Sequence, residues 1–205
     1  MTNKVMKKTF LLLSCLAAVS VVQGMDRELR LCEQTRQLVF AAEDGDLARV
    51  KQLLDSGADV NGRGGRDFIP LHCAAEKGHL AVMEELLARG AEVNVSYTFH
   101  GGPLDFAANC RREDIQIQAI RMLVRYGADI DFVDTTFGFA PLRTAAFWTR
   151  IAMVRELVRL GADPEKRCFK HCTPLHHAAK HVGRGARALL ELGASMQEEA
   201  SFCFR

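Results

Sequence analysis

Residues 173–179 read TPLHHAA, and elements of this stretch recur along the chain in a way that indicates its fold. Its Pro-Leu pair occurs four times in the chain, at Pro70, Pro103, Pro141 and Pro174, with spacings of 33, 38 and 33 residues. Two other dipeptides recur at nearly the same period: Ala-Ala begins at residues 41, 74, 107, 145 and 178, and Gly-Ala at residues 57, 90, 127, 161 and 193. Such self-similarity predicts an array of about five stacked units.

Each unit reads as two short helices followed by an extended loop. In the second unit, Pro70 suits the first position of a helix, where its missing N–H group costs nothing. Apolar residues then recur at helical spacing between Leu80 and Leu87, which predicts a second helix. Gly90 follows and can cap the last carbonyl groups in a left-handed conformation. Because one unit cannot bury its apolar face alone, the units are predicted to stack into a solenoid.

The period near 33 residues and the string TPLHHAA resemble those of ankyrin repeats, over roughly residues 35–197. The resemblance implies an all-α solenoid of about five helix-turn-helix units joined by β-hairpin-like fingers. We term the first helix of each unit helix A, the second helix B, and the extended loop the finger. The predicted units span residues 35–66, 67–99, 100–137, 138–170 and 171–197, within one repeat domain of residues 25–197 that a tail of residues 198–205 follows.

Two units depart from this plan. The third unit carries four extra residues at positions 111–114. We expect them in the turn between helices A and B, where repeat arrays absorb insertions. The fifth unit has Gly183 and Gly185 where helix B should begin, and a glycine inside a helix costs about 1 kcal/mol relative to alanine. We therefore expect a frayed carboxyl-terminal cap.

The first 24 residues have the layout of a secretory signal peptide. Lys4, Lys7 and Lys8 precede an apolar run from Phe10 to Val22, and small residues lie just before Met25. The run is shorter than the roughly 20 residues that a transmembrane helix needs. We therefore expect export of the chain, to a periplasm or outside the cell, without a stable membrane span.

Three alternatives remain open for this segment: an uncleaved anchor, a hydrophobic start that arose by chance, and a lipoprotein modified at Cys15. Loss of residues 1–24 would remove three lysines, which leaves 24 basic and 25 acidic residues and a net charge of −1. The remaining chain is therefore not basic, and its charge does not favour nucleic acid as a partner.

The resemblance also implies where a partner would bind. Partners of ankyrin arrays usually contact the finger tips and the exposed positions of helix A. Transferred unit by unit, those positions are rich in aromatic and basic residues, and exposed aromatic patches commonly mark recognition. The predicted partner-binding residues are Arg66, Phe68, Phe99, Phe137, Phe139, Phe147, Trp148, Phe169 and Lys170. We expect a protein partner with an acidic and partly apolar surface; the alternative is that several of these rings pack onto neighbouring fingers.

The cysteines of the fifth unit allow a different chemistry. Cys168 and Cys172 flank a predicted finger tip, and a disulfide can join them if the finger turns tightly. With His176 and His181 they also form a loose version of a zinc-site pattern. Because His176 matches a histidine that usually bonds within ankyrin fingers, we predict a possible disulfide and no metal. Cys73 is expected to be a small core residue.

The sequence gives little support for catalysis. It contains no HExxH, GxSxG or GxxxxGK[ST] motif. We therefore predict no enzyme and no cofactor, and an exported protein–protein interaction module that binds through its finger tips and helix A face. The alternative is a structural or protective protein of the envelope or periplasm, in which the cysteines matter more than a binding face.

Overall fold

The computed structural model describes residues 31–64, 68–95, 101–110, 112–133, 140–168, 172–179 and 184–193. Their regular structure is helical and includes no β-strand. The helices are α1 (residues 31–44), α2 (Leu47–Asp55), α3 (Pro70–Lys77), α4 (Leu80–Ala88), α5 (Pro103–Asn109), α6 (Glu113–Arg125), α7 (Pro141–Phe147), α8 (Ile151–Arg159), α9 (Pro174–Ala179) and α10 (Arg184–Glu191). They alternate as helix A and helix B, which confirms the all-α ankyrin solenoid.

Proline starts four of the A helices. Pro70, Pro103, Pro141 and Pro174 are the first residues of α3, α5, α7 and α9. In the first three of these helices the preceding residue is extended, as a residue before proline prefers. The Pro-Leu pair therefore sets the start of helix A, while the leucine that follows it is buried in each unit.

A single apolar core runs along the stack. Its members include the alanine pairs of the A helices and the apolar residues along one face of the B helices. The small alanines let successive A helices approach closely, so that α3 packs against α5 and α7 against α9. The most deeply buried large side chains come from both helix rows: Leu38, Leu71, Met83, Leu86, Ile120, Leu123, Leu142, Met153, Leu157, Leu175 and Leu189.

Side-chain hydrogen bonds between successive fingers also connect neighbouring units. Asn61 donates its Nδ2 to the carbonyl oxygen of Gly90 at 3.2 Å and accepts the Glu92 N–H at 2.8 Å. Asn94 repeats both bonds, to Gly127 and Asp129, at 3.1 and 2.8 Å. A carboxamide is suited to this task because one group supplies a donor and an acceptor.

The next finger has Asp131 in place of the asparagine. Its carboxylate accepts the Asp163 N–H at 3.0 and 3.2 Å, but it has no N–H group to offer the following turn. Burial raises the pKa of Asp131, and the nearby charges of Asp163 and Asp129 raise it further, against the opposing effects of the Asp163 N–H and Lys166. The charged form of Asp131 is therefore less favourable in the folded chain than in the unfolded one.

We expect Asp131→Asn to stabilise the protein by about 0.5–1 kcal/mol at neutral pH, because asparagine restores the donor and removes the charge. Urea unfolding measures the gain, which should shrink as the pH falls through the raised pKa of Asp131 and the wild-type carboxyl becomes neutral. Asn94→Asp is the reciprocal control and should lose a similar free energy. A lower urea midpoint for Asp131→Asn would contradict this account.

Two of the four extra residues of the third unit, Glu113 and Asp114, are the first residues of α6, and Arg112 directly precedes this helix, so the prediction that all four occupy the turn is wrong for these two. Residue 111 lies outside the described residues. Helix α6 has 13 residues, whereas α4 and α8 have nine each. Four residues make about one helical turn. The added turn carries Glu113 and Asp114 at the positive end of the helix dipole. Its buried Gln116 donates to the Ala108 carbonyl at the end of α5.

The fifth unit also differs from its prediction. Helix α10 begins at Arg184 and contains Gly185 in its first turn. A Cβ atom on Gly185 would lie 2.5 Å from the carbonyl oxygen of Ala146 in α7. The glycine thus permits close contact between the fourth and fifth units, which is a different role from the fraying that helix propensity predicts.

Candidate protein-binding face

Trp148 is the most exposed of the large apolar side chains that the structure describes, at 58% of its full accessible area. It follows the last residue of α7, and its ring meets the half-buried ring of Phe147 edge to face, with centroids 5.2 Å apart. The Arg143 guanidinium lies 5.9 Å from the centre of the Phe147 ring, within cation–π range. Arg143, Phe147 and Trp148 form what we term the Trp148 cluster.

The backbone beside this cluster is strained. Thr149 has a φ of 54°, and it is the single non-glycine residue with positive φ in the described part of the chain. The equivalent positions in the first two units are Gly45 and Gly78, both with a φ of 77°. A β-branched residue in this region is an outlier that costs about 1–3 kcal/mol. The turn that presents Trp148 therefore keeps an unfavourable residue where the first two units have glycine.

Of the predicted partner-binding residues, Phe68, Phe147 and Trp148 lie within the described structure, and they do not share one environment. Phe68 is half-buried and packs edge to face on the buried Phe106, with centroids 5.4 Å apart. Its ring borders the core, as the alternative of inward packing predicted. The others lie outside the described residues: Arg66, Phe99, Phe137, Phe139, Phe169 and Lys170.

A second exposed surface was missed in the sequence. Phe40 of α1 is 54% exposed, and the Arg36 guanidinium lies 6.0 Å from its ring centre. Together with Phe68, Glu76 and Lys77 these residues line a groove of about 500 Å³ between α1 and α3. The first unit lacks the Pro-Leu pair, so binding positions were transferred only to the second to fifth units and Phe40 was not considered. Its position before the Ala-Ala pair at residues 41–42 was the available signal.

An ion pair connects the two helices that line this groove. Lys77 Nζ lies 3.2 Å from Glu43 Oε1, which joins α3 to α1. Cys73 lines the base of the groove but is only 6% exposed. Burial, followed by the charges of Glu43 and Glu76, raises the pKa of its thiol to about 12. Cys73 is therefore a packed thiol rather than a nucleophile, as the sequence predicted.

Cys168 and Cys172 do not form the predicted disulfide. Cys168 is a free, buried thiol. Cys172 is disulfide-bonded, and the remaining described cysteines, Cys32, Cys73 and Cys110, are also free. The Cys168 N–H donates to the Cys172 carbonyl at 3.0 Å and closes the base of the finger. This bond places the two cysteines together without joining their sulfur atoms.

His176 does not face the cysteines, so the zinc pattern that included it is wrong in this respect. Its Nδ1 accepts the Thr173 N–H at 3.2 Å and lies 2.7 Å from Thr173 Oγ1. Asp105 plays the same part in the third unit, where Oδ2 accepts the Gly102 N–H at 3.1 Å. The histidine that approaches Cys168 is its neighbour His177, with Nε2 3.6 Å from Sγ. His181 lies outside the described residues.

Comparison with known families identifies the repeats. A family profile described as ankyrin repeats (three copies) matches residues 11–97, 38–134 and 104–200 in overlapping windows. The first window begins within the segment predicted to be a signal peptide. No curated protein matches the chain. Among the described helices, none combines the length and apolar character needed to cross a membrane.

Proposed function

The chain belongs to the ankyrin-repeat family, and we propose that it binds a protein partner through the Trp148 cluster. Members of this family generally mediate protein–protein interactions. Proteins of this family are typically non-enzymatic. The ligand of such a module is another macromolecular surface, and recognition depends on the side chains that stacking leaves exposed.

The exposure of Trp148 carries this proposal. A tryptophan that is 58% exposed beside a half-buried phenylalanine is costly to leave in water. Tryptophan is also enriched among the residues that contribute most to binding energy in protein interfaces. The strained Thr149 supports the same site, since unfavourable backbone conformations are common where function constrains a turn.

The surroundings indicate the chemistry of the partner. Arg143 lies against the Phe147 ring within the cluster. Apolar rings beside a cation complement an apolar side chain beside a carboxylate. The proposed partner is therefore a protein segment that is acidic and partly apolar.

Replacement of Trp148 by alanine tests the proposal. Candidate partners are first captured with the wild-type chain and identified, and the affinity of each is then measured by calorimetry. Trp148→Ala should lower the affinity for the true partner at least tenfold, which corresponds to about 1.4 kcal/mol of binding free energy. The melting temperature of the variant should stay near that of the wild-type chain. Arg143→Ala should mainly reduce the sensitivity of binding to salt, because it removes a cation that attracts the acidic partner.

Tyr126→Ala is the matched control for an exposed aromatic residue. Tyr126 is 40% exposed and follows the last residue of α6, the B helix of the preceding unit. Its loss should leave the affinity unchanged. Equal weakening by both variants, or full affinity of Trp148→Ala, would place the binding site elsewhere on the array, with the Phe40 groove as the next surface to test.

The proposed setting of this interaction is outside the cytoplasm. Three lysines followed by an apolar run within residues 1–24 support export. If the segment is a cleaved signal, the chain recovered from a bacterial periplasm will begin near Met25, and Lys4, Lys7 and Lys8 will be absent from its peptide map. An intact amino terminus in the cytoplasmic fraction would contradict export, while the binding proposal would stand.

A further inference from the structure

Three ligand-type side chains meet at the base of the last finger. The sulfur atoms of Cys168 and Cys172 and a ring nitrogen of His177 all lie within 4.8 Å of one another. Cys168 and Cys172 are 6% and 1% exposed, and His177 is half-buried. This group is the one set of three or more potential metal ligands found in the described part of the chain.

The local fold explains why these groups meet. The hydrogen bond from Cys168 N to the Cys172 carbonyl pairs the two sides of the finger. Pro174 then starts α9 two residues later, and His177 lies in the first turn of that helix. The bonds from Thr173 to His176 fix the start of α9. His176 is thus used for structure, while His177, one residue on, approaches the cysteines.

The spacing of the donor atoms suits a small soft cation. In a tetrahedral zinc site with bonds of about 2.3 Å to sulfur and 2.0–2.1 Å to nitrogen, bound sulfur and nitrogen atoms lie roughly 3.6 Å apart. Cys168 Sγ and His177 Nε2 are 3.6 Å apart in the structure. Thiolate and imidazole are also the ligands that select Zn²⁺ over Mg²⁺ or Ca²⁺.

We propose that the reduced chain binds one Zn²⁺ ion through Cys168 Sγ, Cys172 Sγ and His177 Nε2. Three protein ligands leave one position of the tetrahedron for water or another donor. The site lies where the fourth unit joins the fifth, and it does not depend on the proposed binding role of Trp148. It differs from the sequence pattern in taking His177 as the nitrogen ligand.

The disulfide of Cys172 makes this site dependent on redox state. A sulfur atom in a disulfide is not a thiolate, so the oxidised chain lacks one of the three ligands. A phosphine reductant in water gives two electrons to the disulfide, is oxidised to the phosphine oxide, and leaves two thiols. Zn²⁺ then replaces the thiol protons of Cys168 and Cys172, which pass to the solvent.

Cobalt and zinc titrations of the full chain test the proposal. The chain is reduced with a phosphine, the excess is removed under nitrogen, and Co²⁺ is added as a spectroscopic probe. We expect one Co²⁺ per chain with the absorption of a tetrahedral thiolate complex, displaced by one Zn²⁺. The unreduced chain should give no such spectrum. Zn²⁺ should raise the melting temperature of the reduced chain only.

Variants identify the ligands. Cys168→Ser and His177→Gln should each weaken Zn²⁺ binding by at least about tenfold in competition with a chromophoric chelator. Cys32→Ser is the matched control, since Cys32 is a free, exposed thiol outside the site. It should bind like wild type. If one ligand variant fails to fold, the Zn²⁺ affinity of the other still tests the site, because each variant removes a different donor atom.

Three results would overturn the proposal. The first is a reduced wild-type chain that binds no Co²⁺ or Zn²⁺. The second is a Cys168→Ser or His177→Gln chain that folds and keeps wild-type affinity. The third is an unreduced chain that binds as tightly as the reduced one, which would exclude Cys172 as a ligand.

Discussion

Gly185→Ala will destabilise the protein by about 2–3 kcal/mol, although alanine is the better helix former. An added methyl group would lie 2.5 Å from the Ala146 carbonyl oxygen. That neighbour is backbone at the end of α7 and cannot turn away as a flexible side chain can. The fifth unit must therefore move away from the fourth, with loss of packing around the buried Leu189. Urea unfolding followed by circular dichroism measures the change.

Gly57→Ala is the appropriate comparison. Gly57 has a φ of 93°, but nothing lies within 4 Å of an added Cβ atom. Its substitution carries only the cost of a left-handed backbone, about 1 kcal/mol. Gly185→Ala should lower the free energy of unfolding by more than Gly57→Ala does. If Gly185→Ala instead raises stability by about the helix propensity difference, the contact between α10 and α7 is looser than described.

Glu156→Gln will destabilise the protein by about 1–2 kcal/mol at neutral pH. Glu156 of α8 is 7% exposed and bonds two arginines. Arg121 reaches it from α6 with Nε 2.8 Å from Oε1, and Arg159 lies 2.6 Å from the same oxygen. The carboxylate thus joins the third and fourth units. The arginines are half exposed, so they regain water in the variant, which limits the loss.

The same cluster predicts a pH dependence. Hydrogen bonds from Arg159 and then Arg121 hold the pKa of Glu156 at about 2, below the ordinary value of 4.5. A carboxyl with a lowered pKa contributes stability above its unfolded pKa and loses it as the pH falls toward its folded pKa. The difference between wild type and Glu156→Gln should therefore shrink as the pH falls from about 4.5 toward 2.

Glu191→Gln provides the control for this variant. Glu191 also pairs across units, with Oε2 3.0 Å from Arg155, but both side chains are more than half exposed. Its loss should change the free energy of unfolding by less than about 0.5 kcal/mol. Equal effects of the two substitutions, or a pH-independent effect of Glu156→Gln, would contradict the role assigned to Glu156.

The candidate binding face was only partly predictable from the sequence. Trp148 was singled out because unit alignment placed it on helix A, and the structure leaves it exposed. Phe68 was assigned to the finger and predicted to bind the partner as well, yet it packs on Phe106. Whether an aromatic ring at such a position is exposed depends on the side chain that the next unit supplies, and a repeat period does not contain that information.

The zinc pattern failed for a related reason. Cysteine and histidine spacing along the chain selected His176, whereas the start of α9 uses His176 and turns His177 toward Cys168. Adjacent residues on a helix point about 100° apart, so one position decides which ring faces the finger. Chain spacing alone does not resolve that choice.

The amino-acid sequence was sufficient to determine the solenoid, because an alanine pair and a terminal glycine recur in all five units and a Pro-Leu start recurs in four of them, at a period near 33 residues. Contacts between units were decided only by the tertiary structure. Gly185 looked like a helix breaker until α10 met the backbone of α7. The four-residue insertion of the third unit was assigned to the turn, yet α6 is four residues longer than α4 and α8. Local propensity ranks conformations of a segment, whereas close packing between segments decides which is kept.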